Sequence, residues 1–443
     1  MIKRMLIANR GEIAVRIIKA ARDMGIEPLV VYSEADQDAL HVKLASRAIK
    51  IGPPVVNESY LYYQNILSAA QAFQADAIHP GYGFFAENPA FVEACNAMNI
   101  IFIGPPAEVI QEMGNKSNAR RLMMKANVPV IPGSEHDCES LEKAREVIEQ
   151  IGYPVIIKAS SGGGGKGMRL VYNDSELESR FSYARQEAEN AFFDSSVYVE
   201  KFIEDPKHIE VQILADQRGN CIHLFERDCS VQRKHQKLIE ESPCVILNAK
   251  EREKLTTTAL DAIRSLGYYS AGTVEFLYDQ KSRQFYFIEM NTRIQVEHPV
   301  SEEITGVDLI KEQIRIANGE PLSHQQSDIV RRGHALECRI NAEDSENNFT
   351  PNPGTIKNYI EPQGKDIRVD SGVYSGYSIP PYYDSLIAKV ITRGNTREET
   401  IQKMEEALEG FVIEGVRTTI PFHRKMMQNR IFRSGKYTTS LLN

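Results

Sequence analysis

The sequence predicts a chain of mixed α/β and α+β class in three regions: a doubly wound parallel sheet, a central unit built on antiparallel strands, and a C-terminal mixed α/β region. Three observations carry this. The 443 residues correspond to about three domains at roughly 150 residues each. Apolar strands alternate with amphipathic helices over about the first 130 residues, the signature of a parallel sheet. Beyond them the strands come in hairpin-like pairs, and a third strand-bearing stretch begins after Arg331-Arg332-Gly333.

In the first region Met5 to Ala8 is a short apolar strand and Asn9-Arg10-Gly11 a turn. Ile13, Ile17, Ala20 and Met24 then recur at helical spacing, with Gly25 where a C-terminal cap belongs. Leu29 to Tyr32 is a second strand. Ala77-Ile78-His79 and Ile101-Phe102-Ile103 run into turns rich in Gly and Pro. Ligands of such sheets bind beyond the carboxyl ends of the strands. The second region has strands at Pro154 to Lys158, Met168 to Tyr172, Val197 to Phe202 and His208 to Leu214. Thr273 to Tyr278 and Phe285 to Met290 flank a turn and read as a hairpin. The third opens with strand-like His334 to Asn341 and ends in a helix. Thr396 and Glu399 form a capping box there, and Ile401, Met404, Leu408 and Phe411 its buried stripe.

Composition narrows the function. There are 52 Lys plus Arg against 60 Asp plus Glu, a net charge of −8, which disfavours a nucleic-acid binder. Any anionic substrate must meet a local basic cluster. No stretch reaches the ~20 apolar residues of a membrane span, and the N-terminus lacks the apolar run of a secretory signal. The six cysteines are scattered without a CxxC pair, so neither a thiolate metal site nor a disulfide framework is expected. A reducing cytoplasm is the default reading.

The tract Ser160-Ser161-Gly162-Gly163-Gly164-Gly165-Lys166-Gly167 is the loudest local signal. Gly162, Gly164 and Gly167 match GxGxxG, but a dinucleotide fingerprint opens a helix, and Met168 to Tyr172 reads as a strand. Lys166 is followed by Gly167, which excludes the Walker pattern. Two readings stand: a hairpin loop whose free N–H groups fold over phosphates, or a plain mobile loop. Glu275 and Glu289 interrupt apolar strands at hairpin distance. Buried carboxylates need compensation; a hard divalent cation would supply it, with Asn291 on the face of Glu289. The alternative is edge carboxylates in solvent or ion pairs. Thr292 to His298 alternates strictly, which puts Arg293, Gln295 and Glu297 on one face of an extended segment. A guanidinium there could grip a small oxyanion beside a carboxylate able to take a proton. A solvated polar strand face is the other reading. The charged run Arg227 to Glu241 reads as solvated surface or as a functional cluster. His208, Glu210 and Gln212 share a face opposite Ile209, Val211 and Ile213, and Arg339 alternates with inward-packing Cys338, either as a functional cation or as a salt-bridge partner.

The order GGGGKGM, EKFIEDPKHIEVQ, ERDCSVQRKHQK, GTVEF, FIEMNTRIQVEHPV, GHALECRINAED and PPYYDS resembles the biotin carboxylases of the ATP-grasp superfamily. The likeness runs from ANRGEIAVRI to EGVRTTIPFH and is nearest to the biotin carboxylase subunits of bacterial acetyl-CoA carboxylases. It implies a Rossmann-like N-terminal domain at 1–114, an ATP-grasp domain at 115–330 with a mobile lid at about 132–203, and a biotin carboxylase C-terminal domain at 331–443. It implies that ATP phosphorylates bicarbonate to carboxyphosphate, which carboxylates biotin on a carrier protein, the first half-reaction of acetyl-CoA carboxylase in fatty-acid synthesis. The alternatives are a pyruvate or other acyl-CoA carboxylase component, or another ATP-grasp ligase.

By the same resemblance, Lys116, Lys158, Gly164 and Gly165 bind phosphates. Glu200, Lys201, Phe202 and Ile203 form the adenine hinge, with Met168 and Leu277 against the base. His208, Gln232 and His235 line the ribose and phosphate side. Glu275, Glu289 and Asn291 hold Mg2+ or Mn2+. Lys237, Arg293, Gln295, the backbone of Val296, and Glu297 form the bicarbonate site, with Lys237, Arg293 and Glu297 catalytic. Arg339 and Tyr82 face biotin. The implied partners are a biotin carboxyl carrier protein, carboxyltransferase subunits and a second copy of the chain, with neither nucleic acid nor membrane. No Ala-Met-Lys-Met-like acceptor occurs, so biotin is expected on another polypeptide, or the chain is a fragment of a longer one. The stretch Gln363 to Asp366 departs from the family pattern where a dimer contact could differ.

Overall fold

A computed structural model describes residues 1–160 and 168–442. The N-terminal region is a five-stranded parallel sheet. Its strands are β1 (Arg4–Ile7), β2 (Glu27–Ser33), β3 (Arg47–Gly52), β4 (Ala77–His79) and β5 (Ile101–Phe102), in the order β3-β2-β1-β4-β5. The order reverses at β1 and β4, whose carboxyl ends open the crevice expected of a doubly wound sheet. Helix Gly11–Asp23 starts there and buries Ile13, Ile17 and Ala20. The loop after β4 is bound to the one after β1: Asn9 Nδ2 donates to Pro80 O (2.6 Å) and Tyr82 O (2.7 Å). Gly81 allows this approach, since a Cβ there would stand 2.9 Å from Asn9 Nδ2, and its φ is +64°. The half-exposed edge strand β3 escapes a reading from sequence because it lacks an apolar run.

The antiparallel expectation for the middle of the chain holds. β6 (Val155–Ala159), β7 (Arg169–Val171) and β8 (Val197–Lys201) form a small sheet in the order β7-β6-β8, backed by helices Leu141–Ile151 and Asp174–Phe192. The glycine tract, with Gly164 and Gly165, lies outside the described residues.

The main sheet has eight strands. β9 (Lys207–Ala215), β10 (Cys221–Arg233), β11 (Gln236–Ser242), β12 (Ser270–Asp279) and β13 (Gln284–Asn291) come from the middle of the chain. β14 (His334–Asn341) and the strands Leu386–Gly394 and Ile367–Ser371 extend the same sheet from beyond residue 330. β11 pairs directly with β14, Glu240 opposite Glu337. Helix Arg397–Gly410 buries Ile401, Met404 and Leu408. The capping box is only half made. Thr396 accepts from Glu399 N, but the Glu399 carboxylate accepts from Asn395 N instead of the cap residue.

Candidate active site

The site lies on one face of the main sheet, where β9, β11 and β12 bring polar side chains under the loop that follows β13. Cross-strand register sets the first contacts. Glu275 on β12 stands opposite Glu210 on β9 and Glu289 on β13. The alternation read in β9 is present, with Ile209, Val211 and Ile213 in the core and His208, Glu210 and Gln212 on the other face.

Lys237 is the hub. Its Nζ lies 2.6 Å from Glu210 Oε2, 2.9 Å from Glu275 Oε1 and 2.7 Å from Glu297 Oε1. Burial would lower the pKa of this ammonium. The three carboxylates outweigh it and hold the group well above its ordinary value. Burial would also raise the Glu297 carboxyl, but Lys237, Arg339 and Arg227 hold it far below the usual carboxylate range. The same contest, with Lys237 and His208 as the cations, keeps Glu275 low. Its Oε1 also accepts from Asn291 Nδ2 (2.7 Å) and Gln295 Nε2 (2.8 Å), and its Oε2 lies 2.6 Å from His208 Nε2.

Residues 292–298 are not a strand. β13 ends at Asn291 and a helix starts at His298. The alternation has another cause: Arg293, Gln295 and Glu297 are each held by their own polar partner. Gln295 lies between Glu275 and Arg227, its Oε1 accepting from Arg227 Nη2 at 2.8 Å. Glu297 bonds Lys237 and Arg339. Arg293 turns outward to Glu87 (2.7 Å) and to Asn291 Oδ1 (2.9 Å). The residues thus meet, but through a turn.

Arg227 corrects the solvated-surface reading of the run 227–241. Its side chain is fully buried, and its guanidinium reaches Glu210, Gln212, Ser301, Thr273 and Gln295. A single Arg in a charged run carries no pattern that announces this. The signal is next door, in the polar face of β9 that needs a cation. His235 is exposed at the tip of the two-residue β10–β11 turn, where Lys234 and His235 both have positive φ. Gln232 is buried near Lys237, its register partner.

Among the residues expected around the nucleotide, Lys158 Nζ lies 2.6 Å from Glu200 Oε2, and Arg120 approaches the other oxygen at 3.4 Å. Lys201 Nζ donates to Gly152 O and Tyr153 O. Phe202, Ile203, Met168 and Leu277 are all half-buried. Lys116 begins a helix capped by Asn115 and reaches Glu289 at 3.1 Å. Glu275, Glu289 and Asn291 offer oxygen donors, which suit a hard divalent cation. Each of these groups now meets a cationic side chain, Glu275 that of Lys237, Glu289 that of Lys116 and Asn291 Oδ1 that of Arg293, so a metal ion with bound phosphates would have to displace them.

On the opposite side, Arg339 joins Glu297 (3.0 Å) to Glu240 (2.6 Å from Nε). Tyr82 donates to Glu12. Lys389, fully buried, lies 3.3 Å from that carboxylate and donates to Val296 O at 2.7 Å. Glu87, Arg120, Arg227, Glu240 and Lys389 do not stand out in the sequence, because each acts through a partner remote in the chain.

Comparison with known proteins agrees with this arrangement. Residues 1–110 match the family described as biotin carboxylase, N-terminal domain. Residues 115–325 match the carbamoyl-phosphate synthase L chain, ATP binding domain, and 337–443 the biotin carboxylase C-terminal domain. Biotin carboxylase 1 of Bacillus subtilis is 55% identical over 442 residues, covering 100% of this chain and 98% of the relative. A pyruvate carboxylase subunit of Methanothermobacter thermautotrophicus is 52% identical, covering 100% of this chain and 90% of the relative. The crystal structure of a biotin carboxylase–β-γ-ATP complex from Campylobacter jejuni superposes with a TM-score of 0.97 at 50% identity, covering 100% and 98%. Sheet, site and sequence together define an ATP-dependent ligase of the ATP-grasp type. The chain belongs to the biotin carboxylase family.

Proposed function

We propose that the chain uses ATP and bicarbonate to carboxylate biotin presented on a carrier protein, as the first half-reaction of acetyl-CoA carboxylase. The observation that carries this is the Lys237–Glu297–Arg339 chain of contacts. It sets one carboxylate between two cations, each able to leave it for an anionic or polar substrate.

Bicarbonate would sit on Lys237, Arg293, Gln295 and the Val296 backbone. Glu297 is a weak base while both cations hold it. Each contact that bicarbonate takes from Lys237, or the ureido oxygen of biotin from Arg339, raises its proton affinity. Base strength then depends on both substrates being present, and proton transfer is coupled to attack on the γ-phosphate. Arg293 must exchange Glu87 for the oxyanion. Carboxyphosphate forms as ADP leaves. It then breaks down to CO2 and phosphate, and the phosphate takes the N1′ proton of biotin. The resulting enolate, which Arg339 with Tyr82 nearby would stabilise, attacks the CO2 to give carboxybiotin while phosphate leaves. The phosphates would meet Lys116, Lys158, Gly164 and Gly165. The adenosine would meet Glu200 to Ile203, Met168, Leu277, His208, Gln232 and His235. Magnesium, on Glu275, Glu289 and Asn291, supplies charge neutralisation of the phosphates when bound. The region 132–203 serves as a lid in this reading, supported by its separate small sheet.

The structure of the Hydrogenobacter thermophilus 2-oxoglutarate carboxylase biotin carboxylase domain is a dimer with MgADP, ADP and bicarbonate. It has a TM-score of 0.95 at 48% identity, covering 100% of this chain and 97% of that one. It supports magnesium, bicarbonate and a homodimer here. A carboxyltransferase would complete the pathway in the cytoplasm. The Methanothermobacter relative favours pyruvate as a second reading of the final acceptor. The test is ADP release from ATP and magnesium with bicarbonate and free biotin supplied together or singly. Stimulation only by the pair is expected. Equal turnover without bicarbonate would sink the proposal.

A further inference from the structure

Behind Arg339 stand two carboxylates that none of these steps uses. Glu240 on β11 and Glu337 on β14 are direct cross-strand partners, and both are 0% exposed. In such pairs the Cβ atoms are about 4.5–5.5 Å apart. One Glu240 oxygen is held by Arg339. The other, and both oxygens of Glu337, are buried without a hydrogen-bond partner among the described residues.

The charges facing the pair do not neutralise two anions. Arg339 is already shared between Glu240 and Glu297. Lys237, which acts on Glu240 from a greater distance, is shared among three other carboxylates. Among the described residues, Lys389, on the strand beyond β14, is the remaining cation near Glu337. It is committed to Val296 O, Glu12 and, at 3.9 Å, Asp370. The thiols of Cys229 and Cys338 complete the titratable surroundings among the described residues and bring no positive charge. A buried carboxylate without a counter-charge takes a proton, and two like charges at this range do not both ionise. Burial pushes Glu240 up to about 7, against the pull of Arg339, and carries Glu337 well above the carboxylate range.

We propose that Glu240 and Glu337 hold one proton between them, and that this carboxyl–carboxylate pair is a positioning device that sets the place and effective charge of Arg339 for biotin. With one proton on the pair, Arg339 is balanced by Glu240 and Glu297 and can turn to a substrate oxygen. Loss of that proton adds a third anion near the guanidinium, beside Glu240 and Glu297, which holds it back and repels the enolate. Productive use of biotin therefore falls as pH rises through the titration of the pair, while nucleotide binding does not. The inference rests on the reading of Arg339 as the biotin-side cation.

Two measurements test it. Infrared difference spectra of the full wild-type chain, in light and heavy water, should show a buried carboxylic-acid carbonyl band at neutral pH that disappears in Glu337→Gln. Absence of the band in wild type, or its persistence in both Glu337→Gln and Glu240→Gln, overturns the proposal whether or not any variant is active. In the pH profile of kcat/KM for free biotin, Glu337→Gln should move the alkaline fall upward by about one unit or more, with the KM for ATP unchanged. A merely structural glutamate would lower the whole profile without moving it, and a superimposable or uniformly lowered profile overturns the proposal. If wild type releases no ADP in response to biotin and bicarbonate, the functional reading has failed, and the infrared result alone decides the state of the pair.

Discussion

Replacing Glu297 with Gln separates its chemical role from its structural one. The side chain is 2% exposed and accepts from Lys237 at 2.7 Å and Arg339 at 3.0 Å. Glutamine keeps the shape and an acceptor oxygen but removes the charge and the base. Neither cation is stranded: Lys237 retains Glu210 and Glu275, and Arg339 retains Glu240. Glutamine can accept from only one of the two cations, and its NH2 then faces the other as donor against donor; the fold should lose about 1–3 kcal/mol. Loss of a general base removes about 10²–10⁴-fold in rate. The expected variant is folded, binds ATP and magnesium normally, and loses biotin- and bicarbonate-dependent ADP release by that factor in kcat. Steady-state ADP release at saturating ATP reads the rate, and nucleotide titration reads binding. A loss below about tenfold would assign Glu297 to positioning and require another base. Collapse of ATP affinity together with rate would make the site's ionic lattice, and not proton transfer, its contribution.

Arg339→Ala should lower biotin-dependent turnover far more than ATP affinity, since its partners are Glu240 and Glu297; equal losses would remove it from the biotin side. Four buried histidines should make the fold sensitive to mild acid. Burial lowers His41 and His423 to about 4 and His79 and His298 to about 3. The unfolded chain therefore takes up protons below about 6.5 that the folded chain refuses, and stability falls with pH from there toward the lowered values. The loss is on the order of 1–2 kcal/mol per histidine at about pH 5, opposed in part by Glu240 and Glu337, which burial raises. Replacing His79 and His298 with Gln should therefore reduce the fall in thermal midpoint between pH 7 and about 5, and an unchanged fall would contradict it. Arg397 pairs with buried Glu241 at 2.6 Å and donates to Phe432 O and Arg433 O. Arg397→Leu should cost about 1–3 kcal/mol in urea unfolding, since Glu241 keeps His334 at 2.7 Å and Tyr437. Adding Glu241→Met should cost more by stranding those two buried donors; a double variant more stable than the single would refute this account.

The parallel sheet is legible in the sequence where its strands are buried on both faces and read as apolar runs, as in Leu29–Val31, and not at the half-exposed edge strand β3. The Glu275–Glu289 pairing is legible because acids interrupt such runs at hairpin spacing, and the register confirms the pairing. Thr292 to His298 misleads because alternating polar residues suit a strand equally well. Nothing local says that Gln295 is held by Arg227 and Glu297 by Arg339. Arg227, Glu240 and Lys389 are illegible for the same reason: a buried charge is recognised by its partner, and the partners lie on other strands. The glycine tract, the loudest motif, lies outside the described residues.

The continuity of the main sheet across residue 330 has a practical consequence. β11 passes its unpaired backbone edge to β14, which is followed by Leu386–Gly394 and Ile367–Ser371. A chain ended near 330 would leave the whole of β11, with buried Ile239 and Glu240, as a bare, untwinned margin. Such margins recruit other strands, so that fragment should come out of the cell as aggregate and not as a nucleotide-binding half. The family boundaries at 325 and 337 mark where sequence similarity changes hands, but a usable excision point for protein engineering does not lie between them.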